Sequence, residues 1–204
     1  MEINSVKFVK SSTDVKSCPR KGPPEFAFAG RSNVGKSSLL NLLVNTHNLA
    51  KTSSKPGKTR LINHFMVNES WYLVDLPGYG FAKTGKTERD AFLKLVTEYI
   101  LNRDSLSCLF ILIDSRHKPL ENDLNFINSA GAAGIPLALI FTKSDKPGKE
   151  ALRKNLILYK NTLHQIWEEL PPIFVTSSEK RTGREEILNF IEAANKKYES
   201  ILSK

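Results

Sequence analysis

Cysteine is scarce: Cys18 and Cys108 are the only two in 204 residues, and neither has a partner at metal-ligand or redox spacing. A disulfide scaffold, a zinc site and a redox pair are therefore excluded. No apolar run approaches the ~20 residues that a membrane-spanning helix needs. The segment Met1 to Lys7 lacks the apolar core of a signal peptide, so the expectation is a cytoplasmic protein with no membrane contact. The four histidines have no serine, cysteine or metal partner at useful spacing, which removes a hydrolase triad. Acidic residues are in deficit: 21 Asp and Glu against 30 Lys and Arg leave a net charge of +9. A surplus of that size favours a polyanionic partner such as nucleic acid, although it says nothing about fold. The length suits one domain of ordinary size, large enough to bury a core without crosslinks.

From Glu25 onward, short apolar runs alternate with helical patterns, the signature of a mostly parallel sheet with helices on both faces. Strands are expected at Phe26 to Ala29, Leu61 to Val67, Trp71 to Leu76, Cys108 to Asp114, Leu137 to Thr142 and Ile173 to Thr176. Only Asn68-Glu69-Ser70 joins the second to the third, too little for a crossover, so that pair is an antiparallel hairpin. Helices are expected at Lys36 to Thr46, Thr87 to Asn102, Leu120 to Ala133, Lys149 to Glu169 and Gly183 to Leu202. The last is preceded by a capping-box pattern, Thr182 with Glu185. Residues 1–24 read as a polar, proline-bearing lead-in in which Ile3, Val6, Phe8 and Val9 could add a short strand. Residues 25–204 read as a single domain.

The chain is organised around Gly30-Arg31-Ser32-Asn33-Val34-Gly35-Lys36-Ser37, set between an apolar strand and the helix that opens with Ser38. Backbone N–H groups in such a loop converge on a phosphate at a helix N-terminus, where the dipole favours an anion. Gly30 and Gly35 let the backbone turn and approach closely. Lys36 then reaches the β- and γ-phosphates, and the Ser37 hydroxyl becomes a magnesium ligand. Asp75-Leu76-Pro77-Gly78 ends the third expected strand. Its carboxylate would meet the same ion through water, while the Gly78 N–H points at the γ-phosphate. Thr142-Lys143-Ser144-Asp145 follows a buried strand. Asp145 can accept two hydrogen bonds from guanine, whereas adenine presents an acceptor at one of those positions and is refused. The Lys143 stem can cover the purine face. Thr176-Ser177-Ser178 would offer donors to the guanine carbonyl. Thr59, within Gly57-Lys58-Thr59-Arg60-Leu61, is the candidate second side-chain ligand of magnesium.

Taken in that order, these motifs resemble the translation-factor class of GTPases. Pro24 to Ser38, Lys55 to Thr59 and Asp75 to Ala82 are similar, more narrowly, to the EngB family, also called YihA or YsxC. Thr142, where the wider class has asparagine, agrees with that family. The resemblance implies a three-layer, Ras-like P-loop GTPase fold with a six-stranded, mostly parallel sheet containing one antiparallel strand. It implies GTP and GDP as ligands with magnesium, and a role in assembly of the large ribosomal subunit, with a link to cell-division septation. The precursor subunit and its ribosomal RNA are then the partners, met by a protein that is monomeric when free.

Hydrolysis needs positioning, charge neutralisation and an oriented water. Lys36 and Thr59 carry the charge and switch roles. Tyr79 stands where Ras-like proteins place a water-orienting glutamine, and the only glutamine in the chain is Gln165, so turnover should be slow. Asn33 is the candidate ligand of a potassium ion acting as an arginine finger does, by likeness to potassium-activated relatives. Lys51, Lys55, Lys58, Arg60, Lys180, Arg181, Arg184, Lys196 and Lys197 are the candidate RNA contacts. Two rivals stay open: a nucleotide-dependent scaffold without significant turnover, and an ATPase or kinase using the same loop.

Overall fold

The computed structural model describes residues 1–20, 22–46, 49, 61–79 and 86–202. Its elements run β1 (Val6–Ser12), β2 (Glu25–Gly30), α1 (Lys36–Leu43), β3 (Ile62–Val67), β4 (Trp71–Asp75), α2 (Lys86–Asn102), β5 (Leu106–Asp114), α3 (Glu121–Ala132), β6 (Leu137–Thr142), α4 (Lys149–Leu163), β7 (Ile173–Val175) and α5 (Arg184–Leu202). They form one sheet in the order β1-β3-β4-β2-β5-β6-β7. Strand β3 is antiparallel to both neighbours, as its three-residue link to β4 requires, and β4, β2, β5, β6 and β7 are parallel.

The sheet has seven strands where the sequence suggests six. The seventh is β1, which pairs along β3 from Val6↔Val67 to Ser12↔Ile62 with a bulge between Phe8 and Lys10. That bulge breaks the period-two alternation by which an edge strand is recognised. Phe8 and Val9 stay exposed as a result.

Alternation along the central strands builds two cores. Ala27, Ala29, Leu109, Ile111, Leu139 and Phe141 face one side, where Val96, Tyr99, Ile127 and Tyr159 from α2, α3 and α4 cover them. Phe26, Phe28, Phe110, Leu112 and Ile140 face the other, under Leu39, Leu40 and Leu43 of α1 and Ile187, Leu188 and Ile191 of α5. Phe28 and Phe110 stack at 4.8 Å. Each such buried ring contributes about 1.5–3 kcal/mol, so these positions hold the layers together.

Two helix ends depart from the sequence reading. Helix α4 stops at Leu163 rather than Glu169. Trp167 folds back, donates to Asn128 Oδ1 at 2.7 Å and lies over Gly131, where a Cβ would collide with the indole. At α5, Thr182 exchanges backbone hydrogen bonds with Ser177 in place of the expected capping role. The helix begins one residue later, after Gly183 at φ +81.

Candidate nucleotide-binding site

Strand β2 delivers residues 31–35 to the C-terminal edge of the sheet, and α1 starts at Lys36. Gly35 caps that helix at φ +106, a conformation that demands glycine, although a Cβ there would meet Lys143 Cε only at an ordinary contact distance of 3.6 Å. Gly30 has a packing reason to be glycine. It does not adopt positive φ, and a Cβ there would lie 2.9 Å from both Leu112 Cβ and Val34 Cγ1. Packing against Leu112 of β5 and Val34 of the loop itself excludes a side chain there. Asn33 is left-handed at φ +63, a region asparagine tolerates, and its side chain is exposed.

Lys36 and Asp75, assigned by sequence to the phosphates and the metal, meet as a buried ion pair through Lys36 Nζ and Asp75 Oδ1. Ser37 is half-buried beside them and Ser38 exposed. Leu76 and Pro77 lead to Gly78, where a Cβ would sit 3.3 Å from the Gly30 carbonyl and 3.4 Å from Ser32 Oγ. The start of the loop is thereby stitched to the end of β4: the Tyr79 N–H donates to Gly30 O and the Ser32 N–H to Tyr79 O, both at 3.1 Å. The Tyr79 side chain points away, its ring against Phe126 of α3 and its hydroxyl donating to Asp123 Oδ1 at 3.3 Å. Burial pushes the Asp123 carboxyl above its ordinary value, opposed by the Arg31 charge.

The second half of the loop is tied to the opposite side. Thr142 donates its hydroxyl to Val34 O at 2.6 Å, with Ile113 O at 3.2 Å as a second acceptor. Lys143, at φ +58, donates Nζ to Asn33 O at 2.6 Å and to Asp114 Oδ2 at 2.8 Å. Thr142 therefore anchors the loop through its hydroxyl. Asp145 accepts from Ser177 Oγ at 2.5 Å and pairs with Lys146 at 3.2 Å; the Ser177 bond, more than any other group, holds its carboxyl below the ordinary value. Ser177 also accepts from the Lys180 N–H at 3.0 Å, and Ser144 donates its N–H to Thr176 O at 3.1 Å. Ser178 is half-buried next to them. The β6–α4 turn and the loop after β7 are thus one unit before any ligand arrives.

Leu61 is half-buried at the start of β3, whereas Gly57, Lys58, Thr59 and Arg60, with Lys51 and Lys55, lie outside the described residues. Among the RNA candidates, Arg184 donates Nε to Leu42 O and Leu43 O at 3.0 Å, closing the C-terminus of α1, and Arg181 bonds Asn45 at 2.6 Å. Both have structural partners, which sequence spacing could not reveal. Sequence reasoning missed Asp114. Burial alone would raise its carboxyl, but hydrogen bonds from Arg116 and Lys143 outweigh that and hold it well below the carboxylate range. An acidic residue closing the apolar run Leu109 to Ile113, at the same sheet edge as Asp75, was the available signal.

Among the described residues no group of three or more His, Cys, Asp or Glu could hold a metal by itself. A hydroxyl and a carboxylate, Ser37 and Asp75, form a hard-oxygen set that suits magnesium completed by phosphate oxygens and water.

The chain matches the 50S ribosome-binding GTPase family over residues 25–143. It is 54% identical over 195 residues to the probable GTP-binding protein EngB of Porphyromonas gingivalis, covering 96% of this chain and 97% of that one. With the probable EngB of Bacteroides fragilis it shares 54% identity over 200 residues, 98% and 100% of the two chains. Among solved structures, a probable GTP-binding protein EngB superposes with a TM-score of 0.69 at 20% identity, covering 85% of this chain and 99% of the other. Era from Aquifex aeolicus, in a complex with GDP and an aluminium fluoride, gives 0.64 at 23% identity over 82% and 55% of the two chains, a likeness of fold. With a buried lysine–aspartate pair at the head of its glycine loop and Asp145 bonded to Ser177 beside it, this chain belongs to the EngB family of GTP-binding proteins, within the 50S ribosome-binding GTPases.

Proposed function

We propose that the protein is a slow GTPase whose GTP form engages a precursor of the large ribosomal subunit in the cytoplasm and promotes its assembly, with the septation link a downstream consequence. Residues 25–204 act as the nucleotide-binding domain. The observation that carries this reading is the two-sided anchoring of one loop: residues 30–32 to Tyr79 and residues 33–34 to Thr142 and Lys143.

Guanine is selected by Asp145, already aligned by Ser177, with donors from Thr176 to Ser178 near the carbonyl and the Lys143 stem over the ring. The loop amides from Arg31 to Ser38 receive the phosphates. Lys36 would exchange Asp75 for phosphate oxygens, and the Ser37 hydroxyl, with the Asp75 carboxylate acting through water, would hold magnesium. When bound, that ion neutralises phosphate charge. Thr59 completes the set in the triphosphate state, and Asn33 is the group we assign to potassium. Slow turnover follows from Tyr79, whose hydroxyl is spent on Asp123 instead of a water. Phosphate release under multiple turnover, in potassium and in sodium, with and without isolated large subunits, tests the reading. Turnover accelerated by subunits, and co-sedimentation that needs GTP and falls with salt, support it. Co-sedimentation indifferent to nucleotide and salt contradicts it.

A further inference from the structure

Resting on the GTPase reading above, the structure assigns a further catalytic group: we infer that the Ser32 hydroxyl donates a hydrogen bond to a γ-phosphoryl oxygen in the transition state, in the place left by Tyr79.

The loop is polarised. Residues 33 and 34 are gripped from the side of Asp145, through Lys143 and Thr142. Residues 30 to 32 are gripped from the end of β4, through Tyr79. A nucleotide with its base at Asp145 must run its phosphates along the loop toward Ser32, Gly78 and the Lys36–Asp75 pair, so the terminal phosphate comes last and meets Ser32 first. Ser32 is half-buried with its Oγ enclosed, and among the described residues that oxygen has no hydrogen-bond partner. It lies 3.4 Å from the point where Gly78 would carry a Cβ, against the residue whose N–H is expected at the γ-phosphate. A buried hydroxyl left unpaired costs roughly 1–3 kcal/mol, so its retention calls for a partner that arrives with the ligand. Of the neighbouring side chains, Tyr79 is committed to Asp123, Thr142 to Val34 O, and Lys143 to Asn33 O and Asp114, while Arg31 Nε, like Ser32 Oγ, is buried without a partner among the described residues.

In the reaction the oxygen of water bonds to the γ-phosphorus. The bond from that phosphorus to the bridging oxygen breaks, its electron pair leaving on GDP, and a water proton ends on inorganic phosphate. Charge on the transferring group is spread over its oxygens, and a donor fixed beside one of them stabilises that state without reorganisation. GDP offers nothing at this position, so the contact distinguishes triphosphate chemistry from diphosphate binding.

The test is single-turnover GTP hydrolysis together with GDP affinity, on the full chain and on Ser32→Ala and Ser32→Thr. The inference expects Ser32→Ala to hydrolyse at least about tenfold more slowly while binding GDP within about twofold of the parent, and Ser32→Thr, which keeps the hydroxyl, to stay close to the parent. Parental hydrolysis in Ser32→Ala overturns it, as does an equal loss of GDP affinity, which marks a structural role. If Ser32→Ala does not fold, Ser32→Cys takes its place under the same criteria. A parent chain that binds GDP but never releases phosphate defeats the GTPase reading instead, a result readable before any variant is made.

Discussion

Two buried ion pairs sit at opposite ends of the parallel strands. At the N-terminal end, Glu25 receives Tyr99 Oη, Arg103 Nε at 3.1 Å and Arg103 Nη2, while Arg103 also donates to Pro19 O at 3.2 Å. At the C-terminal end, Lys36 and Asp75 have, among the described residues, each other. Both pairs are almost wholly buried, with Glu25 at 1% and Asp75 at 3% exposure. The first pair is saturated with hydrogen bonds and has no reason to part. Among the described residues the second is joined by one contact, at the sheet edge where we propose that a magnesium nucleotide binds and offers each member a separate partner. The number of bonds around a buried charge, rather than its burial, separates a structural pair from one built to be exchanged.

The sharpest way to break the comparison is at the saturated pair. Arg103→Met strands the Glu25 carboxylate and should cost about 3–5 kcal/mol in chemical denaturation, while GDP affinity per folded molecule is unchanged. The same cluster predicts a pH dependence. His64 lies 3.9 Å from Glu25 between Tyr72 and Tyr99, neither ring nitrogen has a hydrogen-bond partner among the described residues, and burial lowers its pKa to about 4. Between 6.5 and 4 the unfolded chain binds a proton that the native protein refuses. The stability from His64 is therefore fully present above pH 6.5 and is lost as pH falls toward 4, by about 3 kcal/mol at 1.36 kcal/mol per unit. His64→Phe should flatten that slope, and denaturant midpoints across this range check it.

At the exchangeable pair the outcome reverses. Lys36→Ala should weaken GTP binding at least roughly 100-fold, about 2.7 kcal/mol, with a smaller loss of nucleotide-free stability than Arg103→Met, because it removes one contact to Asp75 where Arg103→Met removes two to Glu25. Calorimetry and denaturation on the same samples separate the two effects.

These contrasts also mark what the sequence made legible. The loop, the Asp75 turn, Asp145 and Ser177 were readable because each is a short local pattern whose chemistry needs those residue types at that spacing. The parallel core was readable because β5 and β6 are continuous apolar runs. What escaped depends on distant partners. Glu25 and Arg103 are 78 residues apart, and nothing local marks either as buried. The full length of β1 was hidden by its bulge, the end of α4 by a tryptophan that docks on another helix, and the reason for Gly30 by a side chain on β5. Asp114 was visible as a residue but not as the support of Lys143.

Base choice by the Asp145 carboxylate, beside a loop that receives the phosphates, is the central proposal. The most direct measurement is calorimetric titration of the full chain, with magnesium, by GDP and by ADP, repeated on Asp145→Asn. The prediction is a preference for GDP of roughly 100-fold or more that collapses in Asp145→Asn while the protein remains folded. Equal affinity for the two diphosphates in the parent chain, or a preference untouched by the substitution, would contradict it.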